Sequence, residues 1–454
     1  MAKVLLIQPN RNRTNKSDTL SVPPLSLIYL ATAIKKKHEV KIYDRNLYKE
    51  DAILLKLLEN YMPEIIGFTS MTSEMLLDII HLGPIIKNKL KKAIIIVGGT
   101  HASVEPDSVL NEPYVDYIIR GEGEAALLEF CDTFDKNPKK LKTLKNVNKN
   151  PVRPLINLNE WDNPDFSLVN LKDYHSIWIN TSRGCPGDCS FCYNAKMWGV
   201  NGRPCARFLN TEKTIELFRD LIENQKITEF TIADDCFVMF KKRCIEVCKF
   251  LSNQYKNKIG FVAVTRADYV DDEVLLALKN AGCNSLSFGS ESGSQRMLDM
   301  LNKQMTVETQ GKAIQLCHKH GIFSWDSFMI GLPGETMEDL ALTKKFIKKY
   351  KPDSMLAFIF NPMPGSLIFD NLVKKGIIKK PKNLYGWALY NDGSYCIINH
   401  NTSQIPDEII IKTINEMKRN RYYRTKLKKF IWWIKKGRVK YVFNRIKIEV
   451  NRFL

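Results

Sequence analysis

The sequence has no run of eighteen or more apolar residues, so no part of it reads as a membrane-spanning helix. Before Asn10 and Arg11 the first residues offer only a short apolar run, and no secretion signal is expected there. The eleven cysteines do not form an even set, and a chain of 454 residues is far too large to be a disulfide-stapled scaffold. Reduced thiols, a metal or a cluster fit better, in a cytoplasmic protein. With 44% hydrophobic and 26% charged residues the chain is neither disordered nor collagen-like, and it is long enough for two or three domains.

Acidic residues are nearly absent from the end of the chain. From Lys418 to Leu454 there are fourteen Lys or Arg against one acid, Glu449, so thirteen of the nineteen net positive charges lie in the last 37 residues. The body is only mildly basic, and an anionic partner is an argument about this tail alone. Its apolar positions Leu427, Ile431, Ile434 and Val439, Val442, Phe443, Ile446, Val450 follow helical spacing, with Trp432 and Trp433 nearby and Gly437 between the two sets. Such basic amphipathic helices suit peripheral contact with the inner face of a membrane. They equally suit apolar stripes packed on the body of the protein.

Up to residue 140 short apolar runs alternate with stretches of helical spacing. The runs are 4–8, 39–43, 65–69, 94–97 and 117–119, and this alternation predicts a doubly wound, five-stranded parallel sheet. Ligands of such sheets lie beyond the carboxyl ends of the strands. Those ends carry Asn10, Thr69 and Ser70, Gly98, Gly99 and His101, and Gly121 and Glu122, all small or hydrogen-bonding. Residues 141–170, rich in Lys, Asn and Pro, read as a linker. Six further strand candidates between Ile177 and Ile359 predict a partial (β/α)6 barrel over 171–380, followed by a C-terminal region, 381–454, that holds the basic helices. The fold class is therefore α/β throughout.

After the first barrel strand the chain reads Ser182-Arg183-Gly184-Cys185-Pro186-Gly187-Asp188-Cys189-Ser190-Phe191-Cys192-Tyr193. Three thiols spaced C-x3-C-x2-C on a Gly/Pro loop can surround one metal centre. A structural zinc needs four ligands, which Cys205 would complete. Three thiolates can instead hold an iron-sulfur cubane with one iron left open.

The spacing, with Phe191 before the third cysteine, resembles the radical S-adenosylmethionine enzymes. The resemblance implies a 4Fe-4S cluster on Cys185, Cys189 and Cys192, whose open iron chelates S-adenosylmethionine for reductive cleavage to methionine and a 5′-deoxyadenosyl radical. It further implies contacts to S-adenosylmethionine from Phe191, Tyr193, Asp234, Asp235, Arg266, Ser290 and Glu291. The later loops Gly331-Leu332-Pro333-Gly334 and Asn361-Pro362-Met363-Pro364-Gly365-Ser366 match the same family.

Ser21 to Ala31 and Arg120-Gly121-Glu122-Gly123-Glu124 resemble the subfamily with a cobalamin-binding first domain, which includes the anaerobic magnesium-protoporphyrin ester cyclase and methylases of lipids and natural products. The D-x-H-x-x-G cobalamin motif is absent, and the chain reads Pro9-Asn10-Arg11-Asn12-Arg13-Thr14 at that place. The subfamily carries no protein histidine below cobalt, so cobalamin on the eight strand-end residues named above remains the implied cofactor. The expected activity is a methyltransferase acting on an unactivated carbon of a small molecule, with a lipid or other hydrophobic compound as a secondary expectation. A one-electron donor such as flavodoxin or ferredoxin is implied. A cyclase or carbon-carbon coupling enzyme with the same cofactors is the nearest alternative, and a non-catalytic cobalamin or redox sensor a more distant one. Nucleic acid ranks last, because transfer-RNA methylthiolating relatives carry a second cluster in the first domain, where this chain has only Cys131.

Overall fold

In the computed structural model, which describes residues 1–11, 21–199, 203–390 and 400–417, the apolar runs form two parallel sheets in sequence. The expected basic helices of 418–454 lie outside the described residues. The first sheet contains β1 (Lys3–Gln8), β2 (Glu39–Asp44), β3 (Ile65–Ser70), β4 (Ile94–Gly99) and β5 (Tyr117–Ile118), in the order β2-β1-β3-β4-β5. Helices cover both faces, which is why Val4 to Ile7 are buried without alternation. The switch in strand order falls between β1 and β3, so their carboxyl ends open a crevice.

The second sheet is built from β6 (Trp178–Ile179), then, beyond a small ribbon of β7 (Ser182–Arg183) with β8 (Arg207–Phe208), from β9 (Glu229–Ile232), β10 (Gly260–Thr265), β11 (Cys283–Glu291), β12 (Phe323–Ile330) and β13 (Ser354–Ile359). Its order β13-β12-β11-β10-β9-β6 is that of an open six-stranded barrel, so the predicted α/β architecture is observed. The β7–β8 ribbon is antiparallel and was not legible in the sequence, since each strand has two residues. Helix starts on the barrel are set by Asp271, Thr306, Thr336 and Ser366, whose side chains accept backbone N–H groups of the first turn.

The two sheets share a core. Met297, Leu301, Phe369 and Trp387 pack with Leu5, Phe68 and Ile95 of the first sheet in one apolar cluster. Of the linker residues, Leu141 and Val147 pack on the first sheet, and Leu158 and Phe166 are buried against Phe218 and Phe230 of the barrel. A helical segment over 407–417 lays Ile410 and Ile414 on Ile330 and Ile359. No helix among the described residues is long and apolar enough to cross a membrane.

One carboxyl in this core makes stability depend on pH. Asp326 on β12 is fully buried, and one of its oxygens has no partner. Burial pushes its pKa up to about 7 although the Ser290 hydroxyl donates to it at 2.6 Å. Unfolded, the group titrates near ~3.9. Between those values the folded state holds the extra proton, so stability falls as pH rises, by up to about 1.4 kcal/mol per pH unit. Asp326→Asn is expected to remove this contribution. Urea unfolding at pH 5 and pH 8 checks it: the variant should lose less stability across the interval than the parent.

Candidate active site

The cysteine loop hangs from the β7 end and is pinned from two sides. The Ser190 N–H donates to the Leu301 carbonyl at 2.9 Å, the Ile368 N–H donates to the Ser190 carbonyl at 2.9 Å, and the Asn302 side chain donates to the Asp188 carbonyl at 2.7 Å. Gly184 has φ of +82°, and a Cβ there would lie 2.1 Å from the Cys205 carbonyl oxygen, so only glycine lets the loop leave the ribbon. A Cβ on Gly187 would lie 2.7 Å from Arg266 Nη1.

Each thiol has a donor behind it. The Gly187 N–H points to Cys185 Sγ at 3.4 Å, the Asn194 N–H to Cys192 Sγ at 3.5 Å, and Arg266 Nη1 to Cys189 Sγ at 3.9 Å. Burial raises all three thiol pKa values, that of Cys192 to about 12, so a metal centre must displace protons to bind. Among the described residues no three His, Cys, Asp or Glu side chains converge on one ion position. A cubane places each thiolate on a different iron and needs no such convergence. Free, partly exposed and individually backed thiols on a loop held by other contacts fit a cluster.

Around the loop lie Asp235, Arg266, Glu291 and Lys303. Asp235 accepts from the Gly184 N–H and the Asn194 side chain, and burial raises its pKa. Arg266 gives a bidentate pair to its own neighbour Asp268, at 3.0 and 2.8 Å, and a bond to the Lys303 carbonyl at 3.0 Å. Its fork is therefore occupied, and the free edge faces Cys189. Glu291 sits at φ of +62° beside a register shift in β11, a backbone conformation that costs energy and turns its side chain onto Lys303 Nζ at 3.1 Å. Lys303, 7% exposed, also stands 5.8 Å from the Phe191 ring centroid. Burial opposes its charge, and Glu291 with Cys189 outweigh that, leaving its pKa above the usual value. The sequence reading missed Lys303, whose side chain has no local signal. Tyr193 opens the short helix Asn194–Trp198, its carbonyl accepting from Lys196 and Met197.

Two of the residues assigned to S-adenosylmethionine are corrected. Asp234 is 1% exposed and its oxygens take the N–H groups of Thr181 (2.6 Å) and Ser182 (3.1 Å) and the Thr181 hydroxyl (2.6 Å), so it ties β6 to β9 and has nothing left for a ligand. Ser290 points to the helix side of the sheet, toward Asp326, with its carbonyl on the Gln310 amide.

On the first sheet, the strand ends leave Thr69, Gly98 and Gly99 partly open, paired as Thr69–Gly98 and Ser70–Gly99. The Asn10 N–H donates to Asp78 at 2.8 Å. Four expected cobalamin residues have other work. His101 is 0% exposed, its nitrogens bonded to the Thr72 and Ser108 hydroxyls and its ring 5.5 Å from Trp387; burial lowers its pKa to about 3. Ser70 bonds the Gly98 carbonyl and the Ala102 N–H. Gly121 donates to Ser103 and lies against Val152. Glu122 receives Arg183 at 2.7 Å, Arg207 at 3.0 Å and the Ile156 N–H at 2.8 Å, which makes it the clamp between the first sheet and the β7–β8 ribbon. Neither Arg183 nor Arg207 was singled out from the sequence. With His101 sealed, the strand ends named here offer no imidazole, and a corrinoid would have to lie against backbone and small side chains.

The helix Thr100–Val104, which follows β4, packs on the helix Asn194–Trp198, which follows the cysteines. The crevice of the first sheet and the cluster loop therefore meet. A doubly wound sheet joined in this way to a partial barrel with three loop thiols defines a radical S-adenosylmethionine enzyme with a corrinoid domain. The family models agree: Radical SAM superfamily matches residues 179–347 and B12 binding domain matches residues 16–130. An uncharacterized methyltransferase of Pyrococcus horikoshii is 30% identical over 396 residues, 83% of this chain and 84% of that one. The anaerobic magnesium-protoporphyrin IX monomethyl ester cyclase of Rubrivivax gelatinosus is 29% identical over 82% of this chain and 70% of its own. Among solved structures the radical S-adenosylmethionine methyltransferase TsrM of Kitasatospora setae, with tryptophan and an S-adenosylmethionine analogue bound, shares the fold at TM-score 0.68 and 17% identity, over 84% and 78% of the two chains. The chain belongs to the cobalamin-dependent radical S-adenosylmethionine enzymes, whose cofactors are a 4Fe-4S cluster, S-adenosylmethionine and cobalamin.

Proposed function

We propose that the chain is a methyltransferase that replaces a hydrogen on an unactivated carbon of a small molecule. The observation that carries this is the packing of the helix after the β4 glycines on the helix after the cysteines, which brings the corrinoid crevice and the cluster loop to one place. When bound, the cluster with S-adenosylmethionine supplies a 5′-deoxyadenosyl radical and cobalamin supplies a methyl group.

The chain's own residues do the holding. Cys185, Cys189 and Cys192 would ligate three irons. Asp235, beside Cys185 and Cys192, is placed for the cationic amino group of S-adenosylmethionine, and Lys303, steadied by Glu291, for its carboxylate. Arg266 fixes the loop from below and directs positive charge at Cys189. Phe191 and Tyr193 shield the loop from water. Asn10, Thr69, Gly98 and Gly99 form the corrinoid face. Electrons would come from a flavodoxin or ferredoxin, and residues 418–454 would supply peripheral membrane contact.

Anaerobic incubation of the cluster- and corrinoid-loaded protein with S-adenosylmethionine and a reductant tests the reading. Both 5′-deoxyadenosine and S-adenosylhomocysteine are expected. Deoxyadenosine without S-adenosylhomocysteine would reject methyl transfer and favour the cyclase alternative.

A further inference from the structure

The sequence assigns Arg266 to S-adenosylmethionine, and the structure gives its fork another occupant. Nε and Nη2, the edge that would grip a carboxylate, hold Asp268 at 3.0 and 2.8 Å, and Nη2 also reaches the Lys303 carbonyl at 3.0 Å. A ligand could take that edge only by breaking a pair in which the guanidinium is 9% exposed. The opposite edge, Nη1, points at Cys189 Sγ from 3.9 Å. Carboxylate and sulfur thus stand on opposite sides of the guanidinium, and the positive end of the pair faces the cysteine loop. Asp268 is 30% exposed, so water screens the negative end far more than the positive one.

Two glycines make room for positive charge beside the loop. A Cβ on Gly187, between Cys185 and Cys189, would lie 2.7 Å from Arg266 Nη1 and 3.6 Å from its Cζ. The backbone at Gly187 does not adopt the left-handed conformation that favours glycine, so the missing side chain serves the space taken by the guanidinium. On β11, a Cβ on Gly289 would lie 2.3 Å from Glu291 Oε1 and 3.3 Å from Lys303 Nζ. Lys303 is the second cation of the loop, and its charge bears on Cys189 more strongly than that of Glu291.

A cubane held by three thiolates becomes more negative when it is reduced, and in a buried place that added charge is costly. Nearby charge and hydrogen bonds to the ligand sulfurs therefore set its potential. A guanidinium N–H aimed at one of those sulfurs acts in both ways. We infer that Arg266 raises the reduction potential of the cluster through the Cys189 sulfur, held in place by Asp268, and takes no part in binding S-adenosylmethionine. The inference rests on the reading of the three thiols as cluster ligands. The step concerned is the passage of one electron from the low-potential donor: the donor is oxidised by one electron, the cluster is reduced by one, no bond forms or breaks and no proton moves.

Anaerobic redox titration of the reconstituted protein without S-adenosylmethionine, followed by electron paramagnetic resonance, tests it. Arg266→Gln is expected to lower the equilibrium constant for reduction about tenfold, a fall of about 59 mV in midpoint potential for one electron. Its iron content, and the affinity of the oxidised protein for S-adenosylmethionine by equilibrium dialysis, should match the parent. Arg266→Lys, which keeps the charge without the fork, should lie closer to the parent than Arg266→Gln. Gly187→Ala crowds Nη1 away from the sulfur with the arginine retained; it should shift the potential in the same direction, and it serves where Arg266→Gln does not hold iron. An unchanged or higher potential in an iron-replete variant overturns the inference, as does an S-adenosylmethionine affinity weakened about tenfold or more in Arg266→Gln, or loss of iron from both variants. Absence of S-adenosylhomocysteine in the turnover assay would reject methyl transfer and leave the shift in potential standing, so the two failures are distinguishable.

Discussion

Cys192→Ala is expected to give a folded protein that cannot retain a full cluster and forms no 5′-deoxyadenosine above the background of a protein-free control. The loop keeps its shape in the variant because its anchors are the Ser190 and Ile368 backbone bonds and the Asn302 side-chain amide, and not the thiol. What is lost is the sulfur that faces the Asn194 N–H and stands beside Asp235. Iron content and visible absorbance after anaerobic reconstitution read the first expectation, and product analysis the second. Cys205→Ala is the paired control. The Cys205 backbone supports Gly184, whereas its thiol has no assigned part, so this variant should hold iron like the parent. Loss of the metal in Cys205→Ala would return the site to a four-cysteine metal centre, and a full complement of iron in Cys192→Ala would remove Cys192 from the ligands.

The largest effect on stability is expected from Glu122→Ala. The Glu122 side chain is 5% exposed, and Arg183 and Arg207, at 16% and 18%, both spend their charge on it. Removing the carboxylate strands two guanidinium groups in a buried place, and breaking a buried pair of this kind costs about 3–5 kcal/mol. Arg183 retains Glu124 and the face of the Tyr29 ring, 4.9 Å away, so the lower half of that range is the expected outcome. Urea unfolding measures it. Removing the exposed pair Lys36–Asp162 gives the scale for comparison, with a change of less than about 1 kcal/mol. A loss in Glu122→Ala no greater than in that control would show that the clamp is ornamental. Arg183 is also the second residue before Cys185, so the variant should lower deoxyadenosine formation in proportion to the cluster it fails to hold.

These two residues illustrate what could and could not be read from the chain. Cys192 was assigned from spacing: three thiols and a preceding aromatic within eight residues describe their own loop wherever the rest of the chain goes. Glu122 was assigned to a ligand because it follows a strand in a Gly-rich segment, the ordinary setting of a binding loop. Its actual partners are 61 and 85 residues further along. Asp234 and Asp235 show the same limit within one dipeptide. Both are acidic residues at a strand end, and only the position of Thr181 and Ser182, brought alongside by the pairing of β6 with β9, decides that the first is consumed by the backbone while the second borders the cluster loop. His101 was misread for a related reason, since Trp387, near the end of the described chain, is the residue that lies against it.

By itself the sequence determined the strands of the two parallel sheets, the order of those sheets along the chain and the cysteine loop, because apolar periodicity and ligand spacing are properties of contiguous residues. Tertiary structure alone decided which polar side chains remain for ligands. That is a question of hydrogen-bond and charge satisfaction among residues far apart in the chain, and it is settled only when burial forces each donor and acceptor to find a partner.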